Sequence, residues 1–248
     1  MRIHLLGVGI DNIQKSDALQ LITHRIEKNL YTVVYTPNPI MIRRAMRDAD
    51  FRRILNRAHL NLADGVGLSI GATLMSLPRP PRVAGIEFGQ SLLALAEKKG
   101  WRVFLLGAKP GVAQKAAEKL RQKYPHLVVC GTHHGYFKDF ESDAVCRAIK
   151  MSQPDILLVC LGSPRQERWI AEHRPHGVLV AAALGGSLDV WAGNTRRAPH
   201  LVSAVGMEWL WRMCLEPKRF VGLPDMIGFL AATAKCGAKK TLKMRNKL

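Results

Sequence analysis

The chain has 248 residues, of which 48% are hydrophobic and 23% charged, a balance that excludes disorder as the main state. Its length suits one domain with an appendage. Lys plus Arg number 37 against 19 Asp plus Glu, a formal net charge of +18, and such a surface attracts phosphates, nucleic acid or anionic lipid.

Short apolar runs predict strands at 3–8, 32–35, 60–63, 102–106, 127–130, 156–161 and 177–183. Several are apolar throughout, as strands covered on both faces must be. Amphipathic stretches at 17–28, 40–56, 87–99, 112–124, 140–151 and 164–173 predict helices between them. This alternation predicts an α/β core with a Rossmann-like, mostly parallel sheet flanked by helices. The run at 3–8 reads as a first strand and not a signal peptide, because no cleavage site follows it. The core is expected over 1–199. From 200 to 248 the character changes: nine basic residues stand against three acids, interleaved with aromatic and aliphatic side chains. That segment reads as a basic helical appendage. The five cysteines are far apart, with no CxxC pair, which predicts neither a disulfide framework nor a zinc site. No uncharged run is long enough to span a bilayer.

In an open parallel sheet, ligands bind outside the carboxyl ends of the strands, so the residues after each strand matter most. Thr36-Pro37-Asn38-Pro39 follows the second strand. Asn38 suits a helix cap and Pro39 a first helical turn, while Thr36 and Asn38 also offer polar groups at the ligand edge. Asp64 follows the third strand and precedes two glycines; it reads either as a turn residue or as a general base for a sugar hydroxyl. Gly67-Leu68-Ser69-Ile70-Gly71 is a literal GxSxG, but Ser69 falls inside a predicted helix, where a nucleophile elbow does not form.

Gly107-Ala108-Lys109-Pro110-Gly111-Val112 links a strand to a helix. Glycines let backbone approach a phosphate and the helix terminus offers N–H groups, although a plain turn fits the spacing as well. Gly162-Ser163-Pro164-Arg165-Gln166-Glu167 follows another strand; Arg165 and Gln166 are placed at the cleft, and Glu167 with Arg168 on a solvated face. Gly185-Gly186-Ser187-Leu188-Asp189 follows the last strand. Gly193-Asn194-Thr195-Arg196-Arg197-Ala198-Pro199 comes soon after, and these two Gly-rich polar segments favour a nucleotide or sugar phosphate. Asp48-Ala49-Asp50 is a literal DxD, read as mid-helix charge pairing among arginines with no metal bound, since residues two apart on a helix do not share a face. A nucleic-acid-binding protein lacks support from any RRM, KH or helix-turn-helix string. A dinucleotide-dependent enzyme lacks GxGxxG with its later acidic partner.

Six strings taken together resemble the WecG/TagA/CpsF family, glycosyltransferase family 26. They are Thr36-Pro37-Asn38, Ala63-Asp64-Gly65, Arg82-Val83-Ala84-Gly85, the Gly107–Val112 turn, Gly162 through Glu167, and Ala192-Gly193 through Arg197-Ala198-Pro199. The resemblance implies a UDP-sugar donor and a polyprenyl-diphosphate-linked saccharide acceptor in envelope polysaccharide synthesis. It implies anomeric inversion without a metal or other cofactor, at the cytoplasmic face of the membrane. The implied partners include an anionic membrane surface and no nucleic acid; oligomeric state is left open, homo-oligomers included.

By position, the resemblance assigns Asp64 as catalytic base and Thr36, Asn38, Arg82 and Gln166 as polar residues around the substrates. It assigns Gly107, Ala108, Lys109, Pro110, Gly111 and Val112, with Gly185, Gly186 and Asp189, to the UDP site. In the appendage, Trp209-Leu210-Trp211-Arg212 and Glu216-Pro217-Lys218-Arg219 match the family's W-x-x-R and E-P-x-R strings, implying that Arg212 and Arg219 close over the diphosphate. A further family arginine is replaced here by Gly222.

Overall fold

The computed structural model describes residues 1–174, 177–195, 211 and 221–245. Its centre is a six-stranded, all-parallel sheet in the order β4-β3-β8-β7-β5-β6. The strands are β3 (Thr32–Tyr35), β4 (Leu60–Asn61), β5 (Arg102–Gly107), β6 (Val128–His133), β7 (Ile156–Cys160) and β8 (Val180–Ala183). The predicted α/β class and parallel sheet are therefore observed.

Alternation along each strand explains the continuous apolar runs. Val103 and Leu105 point into one core with Val180 and Ala182, whereas Phe104 and Leu106 point into the other with Ala181 and Ala183. Helices α1 (Lys15–Glu27), α5 (Gly85–Lys99), α6 (Val112–Lys123) and α9 (Ser187–Trp191) cover the first face through Ile22, Leu92, Ala113 and Leu188. The second face is covered by α2 (Pro39–Arg47), α3 (Ala49–Asn56), α4 (Val66–Leu74), α7 (Ser142–Ser152) and α8 (Arg165–His173), through residues such as Ile42, Phe51, Leu68, Val145 and Trp169.

Two expectations change. Residues 3–8 do not form one strand: β1 (Arg2–Leu5) and β2 (Val8–Asp11) make a separate antiparallel hairpin. Leu6 and Gly7 both have positive φ (50° and 89°), as a two-residue hairpin turn requires. The helix expected over 40–56 is two helices. Asp48 breaks it in an extended conformation, and its carboxylate caps α3 by accepting from Phe51 N–H (2.9 Å). The DxD string is thus at a helix start and not mid-helix. Its charges are paired as expected, Asp48 with Arg168 (2.6 Å) and Asp50 with Arg53.

The C-terminal helix α10 (Leu223–Arg245) lies against α2 and α4. Phe229 is its anchor, fully buried against Gly71, where an added Cβ would stand 2.5 Å from the ring. Burial of such a ring stabilises the docked helix by roughly 1.5–3 kcal/mol. Farther along, Gly237 meets the Leu74 carbonyl of α4, while Lys235 and Lys239 face solvent. No helix among the described residues is long and apolar enough to cross a membrane.

Candidate active site

The segments that follow β3, β4, β5, β7 and β8 lie at the carboxyl edge of the sheet. Thr36 directly follows β3 and is 8% exposed; its hydroxyl donates to Ala183 O at the end of β8 (3.3 Å). Asn38 caps α2, its side chain accepting from Met41 N–H (3.0 Å), with Pro39 at the first helical position. The capping role is thus fulfilled for Asn38.

Asp64 follows β4 and is half-buried. Its N–H donates to Pro37 O (2.9 Å), which ties it to the β3–α2 turn. Gly85 N–H, in the first turn of the fifteen-residue helix α5, donates to Asp64 Oδ2 at 3.4 Å. A helix start is a favourable place for negative charge. Gly85 also touches Thr36: a Cβ there would stand 3.0 Å from Thr36 Oγ1. Val83 N–H donates to Ala63 O (2.8 Å), so the segment carrying Arg82 runs directly beside the one carrying Asp64. Thr36, Asp64, Arg82 and Gly85 therefore share one corner of the sheet edge.

The second group lies around β5, β7 and β8. Gly107 has φ 141°, and any side chain there would collide with the Cys160 carbonyl. Ala108 follows with φ 57° and donates its N–H to Cys160 O (3.2 Å). Gly111 (φ 83°) then caps α6, with Lys109 and Pro110 exposed. We predict that Gly107→Ala lowers folding stability by about 1–3 kcal/mol of backbone strain, before any clash is counted. Urea unfolding of the variant measures it; unchanged stability would contradict the close approach.

The Gly185–Gly186 turn is held by Gln166, whose Oε1 accepts Gly185 N–H (3.0 Å). Gly186 leads into α9, which carries Asp189; the Asp189 carbonyl accepts from Asn194 N–H (2.9 Å), and Asn194 in turn accepts from Lys115 Nζ on α6 (3.2 Å). The two groups meet at the end of β8, gripped by Thr36 at Ala183 and by Gln166 at Gly185.

Arg165 donates its guanidinium to Gly135 O and Phe137 O and lies over the Phe137 ring, 4.7 Å from its centroid, and Gly135 N–H in turn donates to Ala108 O of the β5–α6 turn (2.8 Å). One placement differs from the expectation. Glu167 is not on a solvated face but 0% exposed. The spacing of its neighbours held a signal, since Trp169 and Ile170 lie three and four residues after Gln166 and turn that face inward. Ser69 lies within α4 and donates to Pro80 O (3.1 Å), as its helical position predicted, which leaves no nucleophile elbow there. Gly222 packs on Ile40, where a Cβ would stand 2.7 Å from Cδ1, so a longer side chain would have to displace α2 or itself. Arg212 and Arg219 lie outside the described residues. Among the described residues no cluster of three or more His, Cys, Asp or Glu is arranged to hold a metal ion.

Comparison with known proteins places this geometry in context. Residues 3–241 match the Glycosyl transferase WecG/TagA/CpsF family. An N-acetylglucosaminyldiphosphoundecaprenol N-acetyl-beta-D-mannosaminyltransferase of Staphylococcus aureus (strain NCTC 8325 / PS 47) is 32% identical over 247 residues, covering 98% of this chain and 95% of the relative. A protein of the same name from Bacillus subtilis (strain 168) is 34% identical over 207 residues, covering 81% and 79%.

Proposed function

Since the chain belongs to the WecG/TagA/CpsF glycosyltransferase family, we propose that it moves an N-acetylmannosamine-type sugar from a UDP donor to an undecaprenyl-diphosphate-linked saccharide. The observation that carries this reading is the corner where Asp64, Thr36 and the start of α5 converge, within a chain similar to such transferases over nearly its whole length.

The reaction is a direct displacement that inverts the anomeric centre. Asp64 accepts the proton of the acceptor hydroxyl as that oxygen attacks the anomeric carbon; the bond from that carbon to the UDP oxygen breaks, and UDP departs with the electron pair. The β5–α6 turn supports the nucleotide, because backbone N–H groups at the start of α6 meet phosphate oxygens and Lys109 adds charge. Arg82, and Arg212 and Arg219 of the appendage, neutralise the leaving diphosphate by charge-assisted hydrogen bonds. We assign the reaction no metal. The one string that resembles a sugar transferase's metal motif has its carboxylates committed to Phe51 N–H, Arg168 and Arg53.

The acceptor is a lipid, so the protein works at the inner membrane surface, with residues 200–248 as the docking and closing appendage. The exposed Lys235 and Lys239 of α10 support this arrangement. A donor screen tests the whole reading: UDP release from a panel of UDP-sugars, with a short-chain lipid-diphosphate N-acetylglucosamine acceptor and EDTA present. Release from UDP-N-acetylmannosamine is expected; silence with every donor would overturn it.

A further inference from the structure

Glu167 is a carboxyl that the transfer chemistry above does not use. It is fully buried on α8, and Gln166 Nε2 donates to its Oε1 at 2.7 Å. Its Oε2 is buried with no hydrogen-bond partner. The adjacent Gln166 is itself only 3% exposed. The Gly185 N–H can only donate, so it fixes Gln166 Oε1 toward β8 and turns Gln166 Nε2 toward Glu167. Tyr35 Oη donates to the Glu167 carbonyl (3.2 Å), which locks this residue to the end of β3 beside Thr36.

We propose that Glu167 is a positioning residue of the transfer site: its carboxyl holds the Gln166 amide in the one orientation that grips Gly185 and so sets the Gly185–Gly186 turn against the donor. This rests on the transferase reading. Burial pushes the Glu167 carboxyl above the usual carboxylate range, and the opposing influence of the neighbouring Gln166 amide, Ser163 and the Arg44 charge on α2 does not reverse it. The other group facing it, Tyr35 on β3, is also pushed up, first by its own burial and then by the Glu167 charge, so it stays a neutral phenol.

The sign of the pH dependence follows. A carboxyl raised above its ordinary value of 4.5 contributes stability that is fully present below that pH and is lost as pH rises through its folded-state value. Glu167→Gln keeps an acceptor for Gln166 Nε2 and has no proton to lose. Glu167→Leu removes the acceptor and leaves the amide unfixed.

The test compares wild type, E167Q and E167L in transfer kinetics and thermal unfolding as pH rises from about 4.5. E167L is expected to lose on the order of a hundredfold, mainly in kcat, as a displaced turn misplaces the donor. E167Q should lose far less and should lack the wild type's decline in kcat and melting temperature with rising pH. Equal losses in E167Q and E167L, or none in either, would overturn the proposal. A second measurement works without turnover: NMR of the Gln166 side-chain amide. Shifted, slowly exchanging amide protons in wild type and E167Q, lost in E167L, support positioning; identical spectra in all three contradict it. If wild type transfers no sugar while the amide behaves as expected, the fault lies with the transferase reading and not with the Glu167–Gln166 clamp.

Discussion

Asp64→Asn should fold like wild type and transfer almost no sugar. The carboxamide keeps an oxygen for Gly85 N–H and leaves Asp64 N–H bonded to Pro37 O, so the β4–α4 turn and the start of α5 remain in register. It cannot accept a proton at neutral pH. A positioned general base contributes roughly 10²–10⁴-fold to rate, so kcat should fall by about that factor with little change in donor KM. Steady-state UDP release, with circular dichroism as the folding control, measures the loss. A variant with near-normal kcat would remove Asp64 from the role of base, whatever its position.

Replacing the six basic residues between 235 and 247 (Lys235, Lys239, Lys240, Lys243, Arg245 and Lys247) by glutamine should nearly abolish binding to anionic vesicles. No acid lies in this stretch to offset them. Each basic residue near an anionic leaflet contributes about 1 kcal/mol, so the set contributes up to about 6 kcal/mol, a loss of more than roughly a thousandfold in affinity. Because Phe229 holds α10 on α4 upstream of these positions, the substitution should leave the helix docked and isolate the charge effect. Co-sedimentation with phosphatidylglycerol vesicles reads it, and wild-type binding should weaken as salt shortens the Debye length to about 3 Å at 1 M. Binding that survives both the substitution and salt would mean that apolar insertion, not charge, holds the protein to the bilayer.

The sheet was legible in the sequence because its strands are buried on both faces and so read as unbroken apolar runs, as 156–160 does. The candidate residues' shared edge was legible for the same reason: once strand ends are known, Thr36, Asp64, Gln166 and Gly185 each come after one and Gly107 ends one. The hairpin was not, because its turn is Leu6-Gly7 and lacks the Asn-Gly signal that usually marks two positive φ values. The break at Asp48 was hidden because the apolar spacing of α2 runs on into α3 almost in phase, and a single capping carboxylate decides the matter. Glu167 was misjudged because a charged residue beside an arginine is ordinarily solvated. Its burial comes from the tertiary meeting of α8 with Tyr35 and β8, and the inward spacing of Trp169 and Ile170 was the one local sign of it.

One picture underlies these expectations: a carboxylate at the sheet edge takes a proton from an alcohol, opposite a nucleotide cradled by the neighbouring strand ends. The most direct measurement is a crystal structure with UDP-N-acetylmannosamine bound. The diphosphate should lie along the β5–α6 turn and the Gly185–Gly186 turn, with the anomeric carbon facing Asp64 across a gap that fits one attacking hydroxyl. A nucleotide bound elsewhere, with its sugar out of reach of Asp64, would contradict it.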